Sequence, residues 1–186
     1  MSKTHKIFDS LLILQCQSGN KRAVALLVKR WHTKLCRQAY WYVNDVEVSK
    51  DIAQDSWSKI LLKINSLKDP NSFGSWALSI VNRSAIDWIR KHKRELHNLD
   101  SYQKTYKSES VDKDDEDQNE LMIMLKNSIK ELPKNQQMVL HLFYVEEYSI
   151  KQMSDILNIS VGTVKSRLFN AREKLKLIIK DRNYEK

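Results

Sequence analysis

The chain has 186 residues, of which 41% are hydrophobic and 30% charged, with only 3 Gly and 2 Pro. This composition argues against a turn-rich β fold, and apolar residues that recur at intervals of three and four predict an all-α protein. The formal net charge of +9 is uneven: residues 1–97 carry 17 Lys/Arg against 8 Asp/Glu, residues 98–120 carry 3 against 8, and residues 121–186 carry 12 against 7. Two basic blocks around an acidic spacer favour a polyphosphate partner, although solvated helix faces would also produce this pattern.

Neither a metal site nor a membrane span is expected. Cys16 and Cys36 form no Cys-x-x-Cys pair and the five histidines follow no ligand spacing, so no metal site is expected. Both cysteines have apolar neighbours in the sequence and are expected to be reduced core residues. The amino terminus lacks the apolar region of a signal peptide, and no apolar run approaches the roughly 20 residues needed to span a bilayer. We therefore expect a cytoplasmic protein without cofactor, metal or direct membrane insertion.

Four helices are predicted in the first half of the chain, separated by turn-forming residues. The segments between them are Ser18-Gly19-Asn20, Asn44-Asp45 and the stretch NSLKDPNS at residues 65–72. Ser72 is expected to cap the fourth helix. The four helices are Ile7 to Gln17, Lys21 to about Val43, Val48 to Ile64, and Phe73 to about Arg94.

An acidic segment divides the chain into two small helical domains. Residues 97–118 have very few apolar side chains and cannot bury enough surface to offset the entropy of ordering, so a flexible linker is predicted. The predicted organisation is a domain at 8–96, a linker at 97–118 and a second domain at 119–178.

The second domain is predicted to end in a helix-turn-helix. Pro133 suits the first turn of a helix. Ser149 and Gln152 are spaced as a capping box, Asn158 tolerates the left-handed conformation of a tight turn, and Ser160 is placed to cap the last helix. The apolar stripe of that helix is Val161, Val164, Leu168, Ala171 and Leu175.

The opposite face of the last helix is polar or basic, as expected of a helix that enters a DNA major groove. The stretch from Leu132, and above all residues 158–168 (NISVGTVKSRL), resembles region 4 of the sigma factors of bacterial RNA polymerase, especially the extracytoplasmic-function class. The resemblance implies that this helix binds the −35 promoter element. Many relatives carry Arg where this chain has Asn170, so the preferred bases stay open. The implied DNA contacts are Thr163, Lys165, Ser166, Arg167, Asn170 and Arg172.

The segment Ser49 to Trp57 is similar to sigma region 2.2, which docks on the clamp helices of the largest polymerase subunit. Lys50 stands where relatives often carry Glu. The docking residues that the resemblance implies are Asp51, Gln54, Asp55 and Trp57.

The segment Ser72 to Arg94 resembles regions 2.3 and 2.4, which recognise and open the −10 element. Aromatic faces and cationic side chains can receive unstacked bases and hold phosphates. For Phe73, Trp76 and Trp88, core packing and base contact are both open. The implied −10 contacts are Asn71, Ser72, Asn82, Arg83, Asp87, Arg90, Lys91, Lys93 and Arg94.

The resemblance implies a non-catalytic specificity subunit that joins core RNA polymerase, at its clamp helices and flap, to promoter DNA. It also implies restraint by an anti-sigma factor of unknown identity. A two-domain DNA-binding regulator is the first alternative, a nucleic-acid enzyme the second and a helical adaptor the third. The sequence has no paired-carboxylate metal motif, glycine-rich phosphate loop or nucleophile constellation, which argues against the enzyme.

Overall fold

In the computed structural model, the backbone is described for residues 3–98 and 120–184, and side chains for residues 7–92 and 122–180. Within these ranges the chain forms helices and helical turns and no strand, which confirms the predicted all-α class. The described residues form two compact units: residues 3–98 with 155–157, and residues 120–154 with 158–184. Of the predicted linker, all but residues 97 and 98 lie outside the described residues.

The first unit contains four helices, in the order predicted. The second helix matches its prediction, whereas the first begins earlier and the fourth ends later than predicted. Two 3-10 turns, Ile64–Ser66 and Pro70–Ser72, connect the third helix to the fourth. The helices are α1 (Lys3–Gln17), α2 (Lys21–Val43), α3 (Val46–Lys63) and α4 (Phe73–Asn98).

The core of this unit is formed by the apolar stripes of its helices. Leu27 and Leu35 of α2, Ile60 of α3 and Phe73 of α4 are fully buried. The Trp31 and Phe73 rings meet edge to face, with centroids 5.3 Å apart. Such pairs contribute about 0.5–1.5 kcal/mol beyond the buried area, so this contact helps to fix the start of α4 against α2.

Local capping chemistry sets the boundaries of α2 and α3. Gly19 has φ 85°, in the left-handed region that glycine adopts without steric cost. The Asn20 side chain then accepts hydrogen bonds from the first backbone N–H groups of α2. At the other end, Asn44 adopts the left-handed conformation and Asp45 caps α3 by accepting from the N–H of Val48 at 2.9 Å. The predicted break at Asn44-Asp45 is thus a C-cap followed directly by an N-cap.

Four further helices follow, and the second unit contains all of them except residues 155–157 at the end of α7. They are α5 (Glu120–Lys130), α6 (Lys134–Leu140), α7 (Ile150–Leu157) and α8 (Val161–Tyr184). Pro133 is the residue before α6 and has an extended ψ of 142°. It therefore precedes the first helical turn, and the prediction that it lies within that turn is wrong. Val139, Leu142, Met153, Val164 and Ala171 are fully buried.

Helix α6 continues into a π-helical turn at His141–Val145, which the sequence did not predict. The turn is closed by hydrogen bonds from the N–H of Glu146 to the carbonyl of His141 and from the N–H of Tyr148 to the carbonyl of Leu142. Glu147 has φ 56° and ends the run, as predicted for this segment. Single π turns of this kind are frequent at functional sites.

The turns around α7 have the predicted chemistry. Ser149 and Gln152 form a reciprocal capping box, with distances of 3.0 and 3.3 Å. Asn158 is left-handed, with φ 52° and ψ 48°. Its backbone N–H donates to the carbonyl of Ser154, which closes α7 before the chain enters α8.

Candidate nucleic-acid interface

Ser160 fixes the first turn of α8. Its hydroxyl accepts from the N–H of Thr163 at 3.0 Å, and the two hydroxyl groups are 2.8 Å apart. The predicted cap is therefore present. The remaining N–H groups of this first turn and the positive end of the helix dipole can bind an anion such as a DNA phosphate.

The predicted −35 residues lie opposite the buried side of α8. Val164, Leu168 and Ala171 are buried, whereas Lys165, Ser166, Asn170 and Arg172 are exposed and Thr163 and Arg167 are half-buried. Val161, expected in the apolar stripe, is exposed. We call the polar side of this helix, from Gly162 to Lys174, the α8 face.

Several polar groups on the α8 face are available to a ligand. Within residues 7–92 and 122–180, the side chains of Lys165, Arg167 and Asn170 make no hydrogen bond or ion pair. Ser166 donates its hydroxyl hydrogen to the carbonyl of Thr163 at 3.1 Å. An ammonium, a guanidinium and an amide on one helix face can contact both phosphates and base edges.

Phe169 belongs to the same face, and the sequence reasoning did not select it. Its side chain is 63% exposed although it lies next to the buried Leu168. An exposed aromatic ring among polar residues suits apolar contact with a thymine methyl group in the major groove. The exposure of Phe169 could have been predicted from the sequence, because this residue falls outside the apolar stripe through Val164, Leu168 and Ala171.

The loop before α4 presents Asn71 in a fixed orientation. Asp69 accepts hydrogen bonds from the backbone N–H and the side-chain amide of Asn71, both at 3.0 Å, and the hydroxyl of Ser10 donates to the Asn71 side-chain oxygen at 2.8 Å. Ser72 was expected to cap α4, but its hydroxyl donates backwards to the carbonyl of Asp69 at 2.7 Å. Asp69 is therefore the capping residue of this loop, and Asn71 remains exposed.

The predicted −10 residues of α4 share one exposed side. The exposed residues are Arg83, Asp87, Arg90 and Lys91. The last three follow Arg83 by four, seven and eight residues, so all four lie on the same side of the helix. Arg90 lies 3.8 Å from Asp87, and both side chains are 71% exposed. An exposed pair of this kind contributes little to stability. We call this side of α4, with Asn71, the α4 face.

Asn82 differs from its neighbours because its side chain is buried. The amide nitrogen of Gln38 in α2 donates to the Asn82 side-chain oxygen at 2.8 Å. Asn82 therefore serves the packing of α2 on α4, contrary to the expected −10 contact. For Lys93 and Arg94, only the helical backbone is described.

The aromatic residues left open by the sequence separate into two environments. Phe73 is buried in the core against Trp31, and Trp76 is half-buried with its ring centroid 6.1 Å from that of Phe73. Trp88 stacks on the His92 ring at 4.8 Å with an interplanar angle of 18°, and both residues are half-buried. Packing accounts for Phe73, whereas Trp88 has a partly exposed ring beside the α4 face.

Helix α3 exposes three of the four predicted docking residues. Asp51, Gln54 and Asp55 are exposed, and within residues 7–92 and 122–180 their side chains have no hydrogen-bond or ion-pair partner. Trp57 is only 6% exposed and belongs to the core, so the expected docking role of its side chain is wrong for this structure. We call the exposed side of α3 that carries Asp51 and Asp55 the α3 face.

Two further features of the α3 face were not predicted. Leu62 is 83% exposed and lies seven residues after Asp55, on the same side of the helix. Lys50 forms an ion pair with Glu47 at 2.6 Å, and the hydrogen bond from this carboxylate raises the pKa of the lysine. Lys50 therefore stays charged, beside the acidic residues of the α3 face.

No cluster of His, Cys, Asp and Glu that could hold a metal ion occurs in the part of the chain that the structure describes. Among the described helices, none is both long enough and apolar enough to cross a membrane.

Comparisons with known proteins agree with the division into two helical units. The Sigma-70 region 2 family model matches residues 27–95, and the Sigma-70, region 4 model matches residues 122–175. ECF RNA polymerase sigma factor SigM of Bacillus subtilis is 31% identical over 135 residues, which cover 73% of this chain and 82% of that protein. The chain belongs to the ECF RNA polymerase sigma factors. ECF RNA polymerase sigma factor SigW of the same organism is 29% identical over 178 residues, which cover 91% of this sigma factor and 95% of that protein.

Solved structures share the fold of this ECF sigma factor. The sigma factor RpoE of Bartonella quintana, in complex with the anti-sigma factor NepR, matches with a TM-score of 0.65 and 21% identity over 82% of this chain and 94% of that one. CnrH, in complex with the cytosolic domain of CnrY, matches with a TM-score of 0.59 and 21% identity over 93% of this chain and 97% of that one.

Proposed function

We propose that this ECF sigma factor binds core RNA polymerase and directs initiation at promoters that combine a −10 and a −35 element. The observation that carries the proposal is the presence of region 2 and region 4 matches on one chain. A DNA-binding regulator would need only the helix-turn-helix, whereas initiation also needs a module that docks on polymerase and opens DNA. The proposed domains are region 2 at 8–96, a linker at 97–118 and region 4 at 119–178.

In this proposal the α8 face binds the −35 element as duplex. Its exposed amide and hydroxyl groups, at Asn170 and Ser166, suit hydrogen bonds to base edges, and its cations suit phosphates. Thr163 lies in the capped first turn, where the N-terminal residues of a recognition helix meet base edges.

The α4 face is proposed to capture the −10 element. Arg83, Arg90 and Lys91 present positive charge along one side, and the fixed Asn71 can hydrogen-bond a base once it leaves the stack. Moving a base out of the stack costs a few kcal/mol, which a matched binding site offsets and converts into sequence preference. Asn82 and Phe73 support this face from the core.

The α3 face is proposed to dock on the clamp helices of the largest subunit, through Asp51, Gln54 and Asp55. Two exposed carboxylates within one helical turn favour a partner surface that is basic or rich in hydrogen-bond donors. Region 4 is proposed to contact the polymerase flap while α8 holds the DNA. A flexible connection between the domains would raise the effective concentration of the second contact after the first has formed.

We also propose that an anti-sigma protein restrains this sigma factor in the cytoplasm. The proposal is supported by the solved complex of the sigma factor RpoE with the anti-sigma factor NepR, and by that of CnrH, which has the same fold, with the cytosolic domain of CnrY. The sigma factor itself is proposed to carry no catalytic residue and to need no cofactor, because the polymerase supplies the chemistry.

Run-off transcription tests the proposed function. Purified core polymerase is incubated with and without the chain on a library of promoter fragments, and the transcripts are mapped. The expected result is a set of start sites that appears only when the chain is present and that shares two sequence elements at fixed spacing. If no template yields RNA that depends on the chain, the proposal is wrong.

A further inference from the structure

Arg172, at one edge of the α8 face, is held by two aromatic rings. Its guanidinium carbon lies 5.4 Å from the ring centroid of Phe143 and 5.5 Å from that of Tyr144. The two rings meet at an interplanar angle of 81°, with centroids 5.0 Å apart, so they form two walls beside the guanidinium. Phe143 is half-buried and Tyr144 is 59% exposed, which places this site at the protein surface.

The arrangement leaves the hydrogen-bonding edge of Arg172 available. An aromatic ring attracts the positive charge of a guanidinium and limits the directions in which the side chain can point. It does not consume the N–H donors, which are arranged in a fork that matches the oxygens of a phosphate. An otherwise flexible side chain is thus oriented before it meets a ligand.

The π-helical turn places both rings beside Arg172. In an ordinary α-helix, consecutive side chains diverge by about 100°, so two neighbours rarely contact the same partner. Here Phe143 and Tyr144 are consecutive residues of the turn at His141–Val145, and both contact Arg172. The turn thus carries both side chains that contact Arg172 at the edge of the α8 face.

The position of Arg172 on α8 separates it from the residues at the centre of the face. It lies eleven residues after Val161, or roughly 16 Å along the helix axis, whereas recognition helices contact base edges mainly with their N-terminal residues. It also lies about 140° around the axis from Arg167, at the opposite edge of the face. Side chains at the edge of a helix in the major groove meet the sugar–phosphate backbone.

We infer that Arg172, positioned by Phe143 and Tyr144, binds a backbone phosphate beside the −35 element and contributes affinity without sequence preference. This inference rests on the proposed function of α8. It divides the predicted −35 residues into two roles, because Arg172 grips the backbone while residues nearer the centre of the face read bases.

The test uses holoenzyme assembled from the full chain and a promoter duplex that supports initiation in the run-off experiment. If no such promoter is found, the proposed function is wrong. The inference about Arg172 fails separately, when a promoter is found but the variants do not have the expected effects. The variants are Arg172→Ala, the double variant Phe143→Leu with Tyr144→Leu, and the combination of all three. The holoenzyme affinity is measured over a series of salt concentrations, on the promoter and on fragments with single-base changes in the −35 element.

Arg172→Ala is expected to weaken binding severalfold by the same factor on every fragment. It is also expected to reduce the slope of log affinity against log salt concentration by about 1, as for the loss of one phosphate contact. The double aromatic variant is expected to weaken binding less, and to add almost nothing in the Arg172→Ala background, because the rings act through the arginine. Arg167→Ala is the comparison variant at the opposite edge of the same helix.

Two results would overturn the inference. One is a change of base preference in Arg172→Ala with an unaltered salt slope, which would make this residue a base reader. The other is an aromatic effect that persists in full without Arg172, which would show that the rings support the fold or contact DNA themselves. Hydrogen exchange of peptides from α8 checks that each variant keeps its helix, since a purely structural role would lower protection without changing the salt slope.

Discussion

Replacing Gly162 with Ala separates what the fold requires of α8 from what DNA requires. Gly162 is the second residue of the helix, and an added Cβ would meet only the hydroxyl oxygen of Ser160, at the ordinary contact distance of 3.7 Å. Ala is favoured over Gly inside a helix by roughly 0.5–1 kcal/mol. In the first turn we expect the lower end of this range, so that Gly162→Ala stabilises the second unit by about 0.5 kcal/mol. This would raise the melting temperature of a domain of this size by about 2–4 °C. The fold therefore gives no reason for glycine.

The same substitution is expected to weaken promoter binding. Gly162 lies about 160° around the helix axis from the buried Val164, so its Cα faces the same direction as the α8 face. Glycine is suited to places where the backbone approaches a ligand closely. A methyl group there would lift the start of α8 away from the groove and weaken neighbouring base contacts, at a cost of about 1–3 kcal/mol. The expected loss of promoter affinity is therefore about fivefold to 140-fold.

Two measurements and one control test this reasoning. All five tryptophans lie between residues 31 and 88, so their fluorescence reports on the first unit alone, and the stability of α8 is followed by hydrogen exchange. Promoter affinity is measured with holoenzyme. Gly19→Ala is the control, because its φ of 85° should make Ala cost about 1–2 kcal/mol in the first unit while leaving the α8 face intact. If Gly162→Ala keeps full promoter affinity, or lowers protection of α8, the reasoning is refuted.

Three further predictions follow from the first unit. The double variant Asp51→Ala with Asp55→Ala should raise the Kd for core polymerase by roughly thirtyfold or more, which corresponds to a loss of about 2 kcal/mol of binding free energy. An unchanged Kd in a competition assay would exclude these carboxylates from docking. Asp9→Asn should lower the free energy of unfolding by about 1–3 kcal/mol, because the buried Asp9 carboxylate accepts a hydrogen bond from Arg30 at 2.8 Å. Urea unfolding followed by tryptophan fluorescence measures this change, and an unchanged midpoint would contradict the prediction. Burial raises the pKa of the Cys16 thiol, so less of the reactive thiolate forms. Iodoacetamide at pH 8 should therefore modify Cys16 far more slowly in the native chain than in urea, and equal rates would disprove the burial.

Sequence reasoning was most accurate where the chemistry is local. The break at Asn44-Asp45 occurs where it was predicted, and the Ser149–Gln152 capping box and Asn158 have the predicted conformations, because each cap involves residues within about four positions of one another. Ser160 likewise caps α8. The two disagreements, at Ser72 and Pro133, are shifts in which neighbouring residue makes the cap. These shifts do not move the helices.

Sequence reasoning was least accurate where a polar or aromatic side chain could point either way. Trp57 was assigned to docking through the resemblance, although it follows Ala53 by four residues and precedes Ile60 by three, which places it in the buried stripe of α3. Asn82 has no such signal in its own helix. Its side-chain oxygen accepts a hydrogen bond from Gln38, which lies 44 residues away in α2.

The amino-acid sequence alone determined the succession of helices, their caps and the polar side of α8, because these depend on helical periodicity and on hydrogen bonds between near neighbours. It also carried the resemblance by which the two sigma regions were recognised. Only the tertiary structure decided that Asn82 supports the core and that Phe143 and Tyr144 hold Arg172. Such roles depend on contacts between segments distant in sequence, and the packing of one helix on another selects them.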